Sequence, residues 1–220
     1  MHMIEFAITT YCQARCRACP RTDEKTGKAV SSLNLQHTSI EDFKNLTKSF
    51  NEIKLNNIAF CGEHGDPMMN PDIDLFIEEA LNYAPKVSIS TNGGIRKPLW
   101  YSNSAKKFGN EKLHIKFAID GASNETNWHY REGVIFDKAI QNMTTFVQSG
   151  GWGKWKFIIF DWNWHEIVKA YDIAKNIIGC EIEYAFNRRN FINSAGLQGY
   201  ISDTNKEKAY SLLKEINYEV

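Results

Sequence analysis

The sequence has no hydrophobic run of membrane-spanning length and no signal-like segment at its start, so it reads as a soluble, cytoplasmic protein. It has no excess of either charge. Lysine plus arginine and aspartate plus glutamate both number 26, so no basic surplus points to nucleic acid and no acidic tail points to disorder. No linker, low-complexity tract or fixed-period repeat divides it, and residues 1–220 read as one domain. Cysteine is scarce, at five, and the odd count argues against a disulfide framework. What is left is an ordinary globular composition, 43% hydrophobic and 24% charged, on a chain long enough for one sizeable core.

Six short runs rich in β-branched and aromatic residues read as strands: 3–10, 57–62, 87–93, 114–120, 155–160 and 181–186. The first, fourth and sixth partly alternate; the second and fifth are near-continuous apolar runs, as buried parallel strands are. Helical patterns lie between them. Ile40, Phe43, Leu46 and Phe50 share a face behind a Thr38/Glu41 capping box. Asn70 and Pro71 open a second helix, and 98–108 holds a third. A fourth runs from Phe136 to a stop at Gly150–Gly151, a fifth from an Asn163/Glu166 cap pair to Gly179, and a last one begins near Asn205. Six strand–helix alternations predict an α/β fold with a parallel sheet, outer helices and right-handed crossovers. Six units fall short of a closed eight-unit barrel. The expectation is a partial (βα)6 barrel, with a doubly wound sheet as the alternative, and loops after the strand C-termini form the active face in either case.

Three of the five cysteines crowd into the loop after the first strand. Cys12, Cys16 and Cys19 have the spacing C-x3-C-x2-C, and no fourth cysteine joins them. Three thiolates can hold three irons of a 4Fe–4S cube and leave the fourth iron open. An open iron suits a cluster that does chemistry. Structural zinc is the alternative, but it wants four closed ligands, and only Cys16 and Cys19 form a C-x2-C pair. His37 or Cys61 would have to complete such a site, and no spacing favours either. Cys61 and Cys180 read most simply as packing residues.

C-x3-C-x2-C after the first strand, followed by six βα units, resembles the radical S-adenosylmethionine (radical SAM) superfamily. "FCGEHGDPMMNPD" (60–72) resembles the family's glycine-rich segment after strand two, "STNG" (90–93) its third-strand ending, and "FAIDGASNETNWHYREG" (117–133) the fourth-strand ending of peptide- and protein-modifying members. The likeness is to compact members of the SPASM-related branch, without the cysteines of an auxiliary cluster. Two positions depart from the family pattern: Ala18 stands where an aromatic residue usually precedes the third cysteine, and Asp66 stands for a glutamate.

The resemblance implies a 4Fe–4S cluster on Cys12, Cys16 and Cys19, with SAM chelating the open iron. Reductive cleavage of SAM would yield methionine and a 5′-deoxyadenosyl radical that abstracts hydrogen from the substrate. It further implies an electron donor such as flavodoxin or ferredoxin, and a small-molecule or peptide substrate. Candidate SAM contacts are Gly62 and Gly65 as close-approach glycines, Asp66 for the amino group, Ser90 and Asn92 for the ribose, Asp120, and Arg131 for the carboxylate. Each has a plainer reading as a turn, cap or solvated residue. His64 and His129, on active-face loops, are open to acid–base roles or to none. Asn163 reads as a helix cap. After strand six, Arg188 and Arg189 offer forked donors for an anionic substrate in a long connection that includes Phe191 and Tyr200. The competing functions are an iron–sulfur electron-transfer or sensor protein that does not cleave SAM, and a zinc-stabilised binding module. No nucleic-acid module is evident.

Overall fold

Among the described residues, six strands pair in the order in which they occur in the chain, and every neighbouring pair is parallel. They are β1 (Met3–Phe6), β2 (Asn57–Phe60), β3 (Val87–Thr91), β4 (Leu113–Ala118), β5 (Trp152–Ile159) and β6 (Glu181–Phe186). The structure is a computed structural model and describes residues 2–50, 53–187, 192, 196, 197 and 199–219. Consecutive order rules out the doubly wound alternative, which needs a reversal of strand order. β1 and β6 remain the two edges of the sheet, so it is the open, partial barrel.

Helices follow the strands as crossovers, α1 (Ile40–Thr47), α2 (Ile73–Ala80), α3 (Pro98–Lys112), α4 (Asn124–Trp128), α5 (Phe136–Gln148) and α6 (Ile167–Asp172), and α7 (Asp203–Glu215) follows β6. A wider π-type turn, Ile173–Ile178, extends α6 and ends at Gly179, whose φ of 82° closes the helix in the left-handed region. The core lies on one face of the sheet. There Ile58, Phe60, Ile89, Phe117, Trp155 and Phe157 meet Phe43, Phe76, Tyr101, Met143 and Phe146 from the helices. Alternate strand residues turn to the opposite face, as the pleat requires.

Several local expectations change. β1 is only four residues long, because beyond Phe6 the chain leaves the sheet and Thr9 bridges antiparallel to His37. Ser39, not Thr38, caps α1, with its oxygen accepting from the Asp42 N–H. α2 begins three residues after Asn70, behind a short 3-10 turn, Pro67–Met69, capped by Asp66. β5 is not buried on both faces. It starts earlier than its apolar run, at Trp152, and alternates half-exposed with buried residues along its length.

Candidate active site

The cysteine loop leaves β1 and is strapped to the first and fourth units of the sheet. The Thr10 N–H donates to Gln36 O at 3.0 Å, and Arg21 Nε donates to Thr10 O at 3.1 Å. Across the sheet, Arg15 N donates to Glu132 O at 2.7 Å, and Arg17 pairs with the Glu132 carboxylate at 3.1 Å. Within the loop, Cys19 N–H to Cys16 O and Thr22 N–H to Cys19 O form successive turns. Cys16 is buried, whereas Cys12 and Cys19 are half-buried; none of the three is in a disulfide.

Donors approach these sulfurs from two other strand ends. Asn92, after β3, brings Nδ2 to 3.8 Å from Cys12 Sγ, and Arg131, after α4, brings Nη1 to 3.9 Å from Cys16 Sγ. Arg131 is itself held by Asp120 at the end of β4, Nε to Oδ2 at 2.6 Å, and its guanidinium lies 4.8 Å over the Tyr130 ring. Asp120 is fully buried and its other oxygen accepts from Ile158 N at 2.6 Å. Burial pushes the Cys12 thiol up to about 12, with the charges of Asp66 and Cys16 adding to the shift. Burial raises Cys16 as well, against the pull of Arg131. Left alone these are protonated thiols; bound iron displaces such protons.

The expected SAM contacts do come together at the strand ends, but most hold one another. Gly62 and Gly65 pack against protein backbone: a Cβ on Gly62 would lie 1.5 Å from Gly65 O, and one on Gly65 would lie 2.2 Å from Thr9 O. Asp66 accepts from Met68 N at 3.0 Å, Asn92 N at 2.8 Å and Thr91 Oγ1 at 3.0 Å. This carboxylate straps the loop after β2 to the loop after β3. Asn92 forms a paired amide contact with Gln13 and caps its own turn through Gly94 N. Ser90 lies on the sheet face opposite the helices, beside the Cys61 thiol just beyond β2, where it opposes the rise that burial gives that thiol. Asn163 stands at the N-cap position of the 3-10 turn Trp164–Glu166 that leads into α6, but its side chain bonds elsewhere: Nδ2 donates to Asp120 O and Ile158 O, and Oδ1 accepts from Phe160 N, which stitches β4 to β5.

His64 and His129 are both half-buried; His129 meets Trp162 edge-on, with ring centroids 6.1 Å apart. Arg188, Arg189 and Phe191 lie outside the described residues. Gln13 and Glu132 were not singled out by the motifs, although both fix the cysteine loop. Gln13 sits inside the cysteine spacing, which is the one signal that could have found it.

The donor set fits an iron–sulfur cube. Three thiols in one loop supply one ligand to each of three irons and leave the fourth iron without a protein thiolate. The amide at Cys12 and the guanidinium at Cys16 are suited to sulfur that carries negative charge.

Residues 6–174 match the family profile described as the Radical SAM superfamily. No curated protein matches the sequence. Among solved structures, the fold resembles Streptococcus suis SuiB bound to its precursor peptide SuiA, with a TM-score of 0.72 and 14% identity over 99% of this chain and 47% of that one. It also resembles anSMEcpe with bound AdoMet, with a TM-score of 0.74 and 15% identity over 97% and 59%. A third is a radical SAM methyltransferase from Sphaerobacter thermophilus, with a TM-score of 0.66 and 12% identity over 98% and 64%. The chain spans about half the length of the first two. With three unbridged cysteines on the active face of a six-strand open barrel, the chain belongs to the radical SAM superfamily, whose enzymes work with S-adenosylmethionine and a 4Fe–4S cluster.

Proposed function

We propose that the chain is the catalytic core of a radical SAM enzyme acting by hydrogen abstraction on a peptide or small molecule. The observation that carries this reading is the trio of unbridged cysteines beside the pair of buried Asp120 and half-buried Arg131, at the C-terminal end of an open parallel sheet. Cys12, Cys16 and Cys19 would hold three irons, with the fourth left for SAM. When bound, the cluster and SAM supply reductive C–S cleavage and a 5′-deoxyadenosyl radical, driven by a donor such as flavodoxin or ferredoxin. The chain's own residues bind and orient. Asp120 fixes Arg131 beside Cys16, and the remaining guanidinium N–H groups are suited to the SAM carboxylate. Asn92 and Gln13 hold the loop at Cys12, and Asp66 holds Asn92. A peptide substrate is supported by the SuiB and anSMEcpe structures, which contain peptides.

Anaerobic reconstitution tests the reading. The protein should load about four irons per chain and, on reduction, convert SAM to 5′-deoxyadenosine. An iron-loaded, folded protein that consumes no SAM is the electron carrier instead.

A further inference from the structure

The sheet face turned away from the helices carries charges that the packing does not explain. The register sets Ser90, Lys116, Lys154 and Glu181 side by side across β3 to β6. The next row toward the strand ends holds Ala118, Lys156 and Glu183. On the β5–β6 side the charges answer each other: Lys154 Nζ lies 3.1 Å from Glu181 and 3.9 Å from Glu183, and Lys156 Nζ lies 3.8 Å from Glu183. Lys116 is exposed and makes no ion pair among the described residues. Its neighbours across the sheet are a hydroxyl and another ammonium.

Like charges side by side on one sheet face repel. Lys154 is already answered by Glu181 and Glu183, so the charge left unanswered on this row is that of Lys116, and an anion beside it would relieve the conflict. The position suits a substrate. Lys116 is four residues, about 13 Å along β4, below Asp120, whose partner Arg131 reaches Cys16. Lys156 spans part of that gap, and its charge is felt at the Asp120 carboxyl.

We propose that Lys116, flanked by Ser90 and Lys154, binds an anionic group of the substrate, a carboxylate or a phosphate, on the inner face of the open barrel. This rests on the radical SAM reading, because chemistry at the cysteine loop is what makes the inner face a substrate site.

Iron-loaded, SAM-bound protein is acetylated at limiting reagent, and modification of individual lysines is followed by peptide mass spectrometry. Inorganic pyrophosphate is the phosphate probe and glutarate the carboxylate probe. One of them should slow acetylation of Lys116 about tenfold, as at about ten times its dissociation constant, while Lys25 and Lys112 are unaffected. Whichever probe protects identifies the group. Lys154→Gln should weaken the protection without changing iron content or SAM affinity. Equal acetylation of Lys116 with and without both probes, in protein that holds iron and SAM, overturns this inference alone. Failure of the unmodified protein to hold iron or SAM overturns the functional reading, and this inference with it.

Discussion

Replacing Asp66 with alanine removes a carboxylate acceptor shared by the loops after β2 and β3. Its two oxygens take Met68 N, Asn92 N and Thr91 Oγ1, and all three donors belong to buried residues. Stranding a buried donor costs about 1–3 kcal/mol, so three would cost about 3–9 kcal/mol if nothing relaxed. The Thr91 hydroxyl can rotate, and water can enter the space the carboxylate leaves. We therefore expect a loss of about 3–5 kcal/mol, near the top of the range for single substitutions. In urea, with a slope of about 2.5 kcal/mol per molar, the unfolding midpoint of the anaerobic, metal-free protein should fall by about 1.5 M. Asp66→Asn keeps one acceptor and turns an N–H₂ toward the other donors, so its loss should be smaller. Because Asn92 also donates toward Cys12, iron loading of Asp66→Ala should slow as well. The reasoning is refuted if Asp66→Ala unfolds at the wild-type midpoint while its iron-loaded form binds SAM weakly. That outcome would make Asp66 a ligand contact and leave the strap without energetic weight.

Alanine at Cys12, Cys16 or Cys19 should abolish iron loading, measured per chain after anaerobic reconstitution, whereas Cys180→Ala should load normally. Asp120→Ala strips the half-buried Arg131 of its fully buried counter-ion, and a stability loss of about 3 kcal/mol is expected by urea denaturation. Asp161 accepts from Ser202 N, Ser202 Oγ and Asn205 Nδ2, and these bonds, against the opposing effect of burial, hold its carboxyl below the ordinary value of 3.8. A depressed folded-state pKa stabilises above the unfolded value and is lost as the pH falls through the folded one. Asp161→Asn should therefore cost about 1–2 kcal/mol near neutral pH, with the gap narrowing below about pH 4 in thermal unfolding curves.

The six alternating strands and helices and the place of the cysteine loop were legible because both depend on local signals, alternation and a short spacing. The order of strands across the sheet is non-local, and alternation alone leaves a doubly wound arrangement open. β5 was misread for an equally local reason. Its apolar run, "WKFIIF", hides the alternation that appears once the strand is extended back to Trp152. The motif residues at strand ends were harder to read, because a short polar side chain at a turn serves equally as cap, strap or ligand. Which of these it becomes depends on partners far away in sequence. Asp66 finds Asn92, 26 residues on, and Arg131 finds Cys16, 115 residues back.

The outcome is systematic rather than scattered. Glycines 62 and 65, Asp66, Asn92 and Asp120 mostly join loop to loop, so the cysteines sit in a lattice of internal bonds. A site preorganised in this way can keep its cofactor geometry while its substrate changes. Selectivity is then left to side chains outside the motifs. On the inner face of the sheet these are Lys116, Lys154 and Lys156, whose alternation in "HIKFAID" and "GKWKFI" follows from the pleat but carries no motif.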